Sequence, residues 1–558
     1  MSKYRFNLST VIIMLICILP IFAYGMDSSR LPQQIKIGIR HKETAAPLVY
    51  LFSLSGLELG YYTGNQFNRI ESFIESDDII VRKDGYFMNM NGTFIEYSFN
   101  EQRDSGNGNL HGPIHIQIGG KFNTRQEAAA YLENISRSIT NAYIVYEDGW
   151  RVWQGLYTTA ANGQIGLENI KTLLPQTSLS LITQDSKRIQ VLNKAGKVLL
   201  MYNPGNADFY FQPILQKDGA DRIRLDSKDF RGSMIVKRYG DSDLTVINQL
   251  SLDEYLYGVV PREVSGTWPL EAQKAQAVVA RNYAATKMNL HREHGFDLCA
   301  TTHCQVYGGS GTEHPSSTKA VNDTSGKVLT YNGTIVEAYY HSNSGGQTED
   351  SENVWANPLP YLRGVADPYS IGAPNDTWTY VITKQAARNA LIAQGLDVGD
   401  IADIKVTEYS KNGRAIKLEI SGTAGKKILE KDKIRSAFGY NNIKSTYFSI
   451  NGGANRGGEL YVLGDLAQGV KKYENSSVHL LTGNGLKEIG SIESPVLFDG
   501  TTYNTTQKSA STSNDIIFNG KGWGHGIGMS QWGAKKMADE GFNYEQILNY
   551  YYTGTKVE

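Results

Sequence analysis

The stretch LDEYLYGVVPREVSGTWPLEAQKAQAVVARNYA, residues 252–284, places one glutamate, Glu263, between an apolar run and a long helix. Tyr255, Leu256, Tyr257, Val259 and Val260 lead up to it, and the run reads as strand-like. Thr267 is the expected N-cap of the helix, with Pro269 in the first turn, where a missing N–H costs nothing. Ala272, Ala275, Ala277 and Ala280 then permit close packing. A carboxylate held at such a hinge is partly desolvated, which raises its pKa toward the range useful for general acid/base chemistry. Glu254 and Glu271 compete for the role, but Glu254 falls in the apolar run and Glu271 in the first helical turn, where an acid complements the dipole. Lys274 and Arg281 share a helix face and either hold substrate oxygens or form a solvated stripe; Tyr283 joins them as a candidate substrate contact.

Far downstream, GKGWGHGIGMSQWGA (520–534) has a glycine at every second position around Trp523 and His525, which leaves the backbone open to a ligand. It lacks the lysine of a phosphate-binding loop. A helix capped by Ser530 follows, with Gln531 at its start. In VEAYYHSNSGGQTE (336–349), Tyr340 ends a β run, Ser342 opens a tight polar turn, and the amides of Gly345 and Gly346 are free of side chains that would block a ligand. The Glu263 hinge and the His525 turn each open into a helix, and although more than two hundred residues apart they point to one site assembled by folding.

The first residues address the compartment. Lys3 and Arg5 form a positive flank, Val11 to Phe22 an apolar run, and Ala23-Tyr24-Gly25 a small-residue cleavage site. Residues 1–25 therefore read as a signal peptide or N-terminal anchor, shorter than the roughly 20 apolar residues of a spanning helix. The expected location is outside the cytoplasmic membrane, free in the wall or tethered to its outer face. A net charge of −1 in 558 residues excludes a sequence-wide basic bias for nucleic acid. The length calls for about three or four domains. With 34 tyrosines and 57 glycines against 15 prolines, the composition is that of a β-rich protein with aromatic rings available for sugars.

Short alternating runs over 30–100 predict a small β-rich domain, and further runs over 178–231 a β-rich segment. Between them, residues 113–170 read as strand (PIHIQIGG), helix (NTRQEAAAYLENISRSI, capped by Asn123 or Thr124), strand (AYIVYEDG) and strand (WRVWQGLY). This unit resembles the sporulation-related repeat (SPOR) domain, which implies binding to glycan strands stripped of peptide; a generic α+β spacer is the alternative. Residues 371–515 read as an inserted α/β segment, with a Ser/Thr-rich connection at Gln507–Asn514. The fold class is α+β, multidomain. A domain of mixed strands and helices spans 232–370 and 516–558, and the family resemblance described next implies that it is the catalytic one.

Five segments in order carry a more specific resemblance: LSLDEYLYGVVPREV, EAQKAQAVVARNYA, DLCATTHCQVYGG, VEAYYHSNSGGQTE and GKGWGHGIGMSQWGA. Together they resemble the sporulation stage II protein D family, which includes amidase enhancers. The resemblance implies a peptidoglycan lytic transglycosylase that cuts between N-acetylmuramic acid and N-acetylglucosamine, with Glu263 as its essential glutamate and a 1,6-anhydro product. A non-catalytic wall-binding enhancer of an amidase is the alternative, and a cell-wall amidase a possible partner. A zinc peptidase is poor, because no H-E-x-x-H pair exists. Cys299 and Cys304, with His294 and His303 nearby, offer four zinc ligands within eleven residues. In an exported chain the same cysteines suit a disulfide equally well. A zinc ion, if held, is expected to be structural.

Overall fold

The computed structural model describes residues 31–99, 109–215, 221–355, 357–451 and 514–558, with the backbone of short strands between 460 and 505. The expected signal segment at 1–25 and most of the connection at 507–514 lie outside the described residues. Among the described residues, no helix is long and apolar enough to cross a membrane.

The fold is α+β. Residues 114–182 form a βαββαβ unit. Its helices are α1 (Arg125–Ile135) and α2 (Ala160–Leu173), and its strands lie in the order Leu179–Ile182, Ile114–Ile118, Trp150–Tyr157, Ala142–Tyr146. Thr124 caps α1 by accepting from the Glu127 N–H at 3.2 Å. The last strand, Leu179–Ile182, pairs antiparallel with Ile114–Ile118, so the unit closes only beyond residue 170, where the sequence reading had ended it.

The segments 30–100 and 178–231 are not independent domains. Strands from both continue the βαββαβ sheet to ten strands, through Val198–Tyr202, Ile189–Leu192, Ile79–Lys83, Leu48–Phe52, Ile223–Leu225 and Lys228–Phe230. A seven-stranded sheet joins Gln34–Arg40 to Thr245–Ser251, the strand that feeds the Glu263 stretch. One core runs through both sheets, with Ile37, Val81, Ile116, Leu200 and Val246 packed together with Leu256 and Val260. Linear segmentation fails here because pairing strands from distant segments costs only a loop closure, which grows slowly with chain length.

Five helices build the part of the fold around Glu263: α3 (Leu252–Glu263), α4 (Leu270–Thr286), α5 (Pro315–Asp323) and, after the insertion, a pair at the C-terminal end. The insertion contains α6 (Lys384–Ile392) and α7 (Lys433–Phe438), and the terminal pair is α8 (Gln531–Asp539) and α9 (Tyr544–Tyr551). Small residues let α4 sit at the centre, buried on nearly every side and packed by α3, α5, α8 and α9. The inserted segment has its own core of Trp378, Leu391, Leu418 and Phe438, which also takes in Ile516 and Phe518. Its strand Thr377–Thr383 pairs along its whole length with Asp515–Lys521. A boundary at 515/516 therefore cuts through this core.

Candidate active site

Residues 252–263 are a helix, not the strand expected. Leu252, Tyr255, Leu256, Val259 and Val260 fall at helical spacing and are all buried. Ser251 starts α3 with a capping box: its Oγ accepts from the Glu254 N–H at 3.3 Å, and Glu254 Oε2 accepts from the Ser251 N–H at 3.2 Å. That box accounts for Glu254. Pro261 removes one helical hydrogen bond near the end, and the backbone leaves helical geometry at Val264. Glu263 is thus the last residue of α3. The α4 N-cap is Pro269, not Thr267, and no side chain caps it.

Gly258 lets the chain at 305–309 lie against α3, since a Cβ there would stand 2.6 Å from the Tyr307 ring. That approach brings the Val306 N–H to Glu263 Oε1 at 3.3 Å. On the other side, Tyr340–His341 pairs in parallel with Met529–Ser530, and Asn343 exchanges backbone hydrogen bonds with Trp523 at 3.0 and 2.8 Å. The two glycine-bearing turns are zipped together in this way. Gly528 is required there: its φ is +69°, and a Cβ would lie 2.1 Å from the Tyr339 carbonyl oxygen.

The zipper delivers Tyr340 and Gln531 to Glu263, and both hydrogen-bond its carboxyl. Tyr255 O–H donates to Gln305 Oε1 at 3.3 Å, and Gln305 Nε2 donates to the Tyr340 oxygen at 3.1 Å. The Tyr340 O–H is thereby left to Glu263. Gln531 Nε2 also donates to Gln276 Oε1 of α4 at 3.3 Å. Burial pushes the Glu263 carboxyl above its ordinary value, against the opposing pull of the Val306, Tyr340 and Gln531 hydrogen bonds. Such a group holds a proton more readily than a surface glutamate and is still stabilised once ionised.

Glu263 opens onto a groove of about 840 Å³. Among the described residues lining it, Glu263 is the one carboxylic acid. Tyr283, Tyr340, Ser342, Trp523 and His525 line it as well. His525 is a strut. Its Nδ1 accepts from the Ile527 N–H at 3.0 Å, so the proton sits on Nε2, which meets the Tyr340 backbone. Burial, together with the Arg435 and Arg414 charges, pushes it down to about 3, so the ring is neutral.

Four expected substrate contacts fall elsewhere. Arg281 is 1 % exposed, pairs with Asp253 at 2.9 Å and donates to the Lys327 carbonyl at 3.1 Å. Lys274 pairs with Glu271 at 2.9 Å and Asp323 at 3.3 Å. The Gly345 N–H donates to Asn343 Oδ1 at 2.8 Å, and the Gly346 N–H to Ser370 Oγ at 3.0 Å. Both amides are spent within the turn. The sequence reading missed Gln305 and Val306, which lie inside a quoted motif, and Arg435, Tyr440 and Asn441 of the insertion, which carry no local signal.

The expected metal ligands change by one. His291, Cys299, His303 and Cys304 bring their ligand atoms within 4.8 Å of one another. His291 Nε2 is 3.4 Å from Cys304 Sγ, the two sulfurs are 3.3 Å apart, and His303 Nδ1 is 3.7 and 3.5 Å from Cys299 and Cys304 Sγ. His294 turns away, with Nε2 against Glu293 at 3.1 Å and its ring stacked by Phe296. A bridge between His291 and Phe296 folds His291 back instead. Two thiol and two imidazole donors at these separations fit a tetrahedral zinc ion, with bonds of about 2.0–2.3 Å. The His314 imidazole caps α5 by accepting from the Ser316 N–H at 3.3 Å.

Comparison with known proteins places these residues in context. Residues 372–464 match a domain of unknown function. The chain is 32 % identical over 344 residues to the amidase enhancer of Bacillus subtilis, covering 60 % of this chain and 45 % of that protein. It is 28 % identical over 326 residues to the stage II sporulation protein D of the same organism, covering 56 % and 75 %. An uncharacterized protein of Brachyspira hyodysenteriae is 29 % identical over 338 residues, covering 60 % and 74 %. Residues 240–331 match the Stage II sporulation protein (SpoIID) family model, so the stretch that holds Glu263, α4 and the four clustered Cys and His side chains is a domain of that family.

Proposed function

We propose that the chain is a lytic transglycosylase that cleaves the N-acetylmuramic acid to N-acetylglucosamine bond of peptide-stripped peptidoglycan. The observation that carries this reading is that Glu263 is the one acid among the described residues of the groove. Glycoside hydrolases pair two carboxyl groups roughly 5–10 Å apart, one to donate a proton and one to act as nucleophile or to activate water. A single carboxyl suits a reaction that consumes no water. Protonated Glu263 donates to the glycosidic oxygen as the bond to muramic C1 breaks. The resulting carboxylate, held by Val306 N–H, Tyr340 and Gln531, then takes the proton from the muramic 6-hydroxyl. That oxygen bonds C1, the 1,6-anhydro ring closes, and Glu263 is protonated again.

His291, Cys299, His303 and Cys304 would hold zinc. Its role would be to tie the 291–304 chain to the sheet, since Leu298–Cys299 pairs with Ile37 and Gly38. The βαββαβ unit would hold glycan without cutting it, as its SPOR-like pattern implies. The chain would work outside the cytoplasmic membrane. A second reading is a non-catalytic enhancer of a wall amidase, which the name of the Bacillus subtilis relative favours.

The test is product analysis. The chain is incubated with amidase-treated peptidoglycan in water labelled with heavy oxygen, and mass spectrometry is expected to find unlabelled 1,6-anhydro ends. Labelled reducing ends would mean hydrolysis and overturn the mechanism. No cleavage, with a faster amidase on intact wall, would establish the enhancer instead.

A further inference from the structure

The inserted segment forms one side of the Glu263 groove. After α7 the chain turns at Gly439, whose φ is +90°, and sets Tyr440 and Asn441 against the groove beside Arg435. Tyr440 is 48 % exposed, yet it is held at its edge and on one face. Its O–H donates to Asp432 Oδ2 at 2.7 Å, and the Arg435 guanidinium lies 4.7 Å from the ring centroid. Arg435 is itself 7 % exposed and anchored through Nε to the Ile443 carbonyl at 3.2 Å. A tyrosine filling a core would be buried, and one left at the surface would not be clamped. An aromatic ring that is fixed and still open costs little ordering when a ligand arrives.

The insertion is also fastened to the turns around Glu263, so its position relative to the carboxyl is set. Trp378 Nε1 donates to the Gly522 carbonyl at 2.9 Å, and the Gly524 N–H donates to the Lys444 carbonyl at 2.9 Å. Lys431 Nζ donates to the Trp355 carbonyl at 2.9 Å, and Arg414 to the Ser344 carbonyl at 2.9 Å.

We infer that the described part of the insertion, residues 372–451, is a carbohydrate-binding wall, in which Tyr440 stacks on the apolar face of a pyranose ring and Asn441 and Arg435 meet its polar groups. This rests on the glycan reading of the groove. Binding to purified peptide-free glycan strands is measured in the Glu263→Gln chain, where no cleavage interferes. Tyr440→Ala is expected to weaken binding about two- to tenfold, the worth of one aromatic contact. Tyr440→Phe keeps the ring against Arg435 and loses only the Asp432 tie, so it should bind between Tyr440→Ala and the parent, and both variants should melt close to the parent. In the cleaving chain, Tyr440→Ala and Asn441→Ala should raise KM and leave kcat in place. Affinity and KM unchanged by both alanine variants overturn this subsite alone. Absence of any binding by the parent Glu263→Gln chain overturns the subsite and the glycan reading together.

Discussion

Replacing Glu263 by glutamine should separate stability from activity, in opposite directions. The carboxyl is the one acid among the described residues of the groove, and burial raises its proton affinity in the fold. Below its unfolded value of 4.5 the group is protonated in both states, and glutamine is an equivalent neutral replacement. As pH rises through the higher folded value, the native chain must hold a charge in a poorly solvated place, and stability is lost. Every tenfold difference in proton affinity between folded and unfolded chain is worth about 1.4 kcal/mol. Each kcal/mol moves Tm by about 2–4 °C in a domain of this size. Glu263→Gln should therefore melt with the native chain near pH 4 and above it at pH 8. Removal of a general acid or base costs about 10²–10⁴ in rate, and one carboxyl serving both proton transfers puts the loss near the upper end. In the native chain, kcat/KM should fall as pH rises past the raised pKa, since the first step needs the protonated form. Calorimetry at the two pH values and anhydro-product counting check this. Equal Tm differences at both pH values, or more than a tenth of native activity in the variant, would refute the reasoning.

Three further outcomes are expected. Arg281→Met should cost about 1–3 kcal/mol, because the Lys327 and Val321 carbonyls lose a donor while Asp253 stays 30 % exposed, and KM should not move; a KM effect without a stability loss would return Arg281 to the substrate. Arg414→Met should cost about 3–5 kcal/mol, since a fully buried cation holding the Ser344 and Gln347 carbonyls is removed, and denaturant melts would register it. Elemental analysis of the full chain should find one zinc, and chelation should lower Tm; a two-dalton mass loss with no metal would instead mean a Cys299–Cys304 disulfide.

The sequence of α3 carries signals for both a helix and a strand. The 252, 255, 256, 259, 260 spacing and the Ser251–Glu254 box both specify a helix. The aromatic and β-branched content of the run, and Pro261 within it, pull the reading toward a strand. Glu263 stands out either way, because an acid at the end of an apolar run is conspicuous whichever element carries it. His291 and His294 are equivalent on spacing alone, and only the His291–Phe296 bridge selects between them. Arg281 and Lys274 share a face as expected, but that face meets Asp253 and Asp323.

Residue type and local spacing were enough to read the α+β class, and to single out the acid that faces the groove, the glycine-bearing turns and the cysteine pair. The sharing of sheets between the N-terminal segments and the domain holding Glu263 comes from long-range packing. The tertiary structure also decided that Tyr340 and Gln531 converge on Glu263, and that the insertion supplies Arg435, Tyr440 and Asn441 to the same groove. Those contacts join residues far apart in the chain. Pairing of that kind is set by packing and backbone hydrogen bonds formed on folding, which no local pattern encodes.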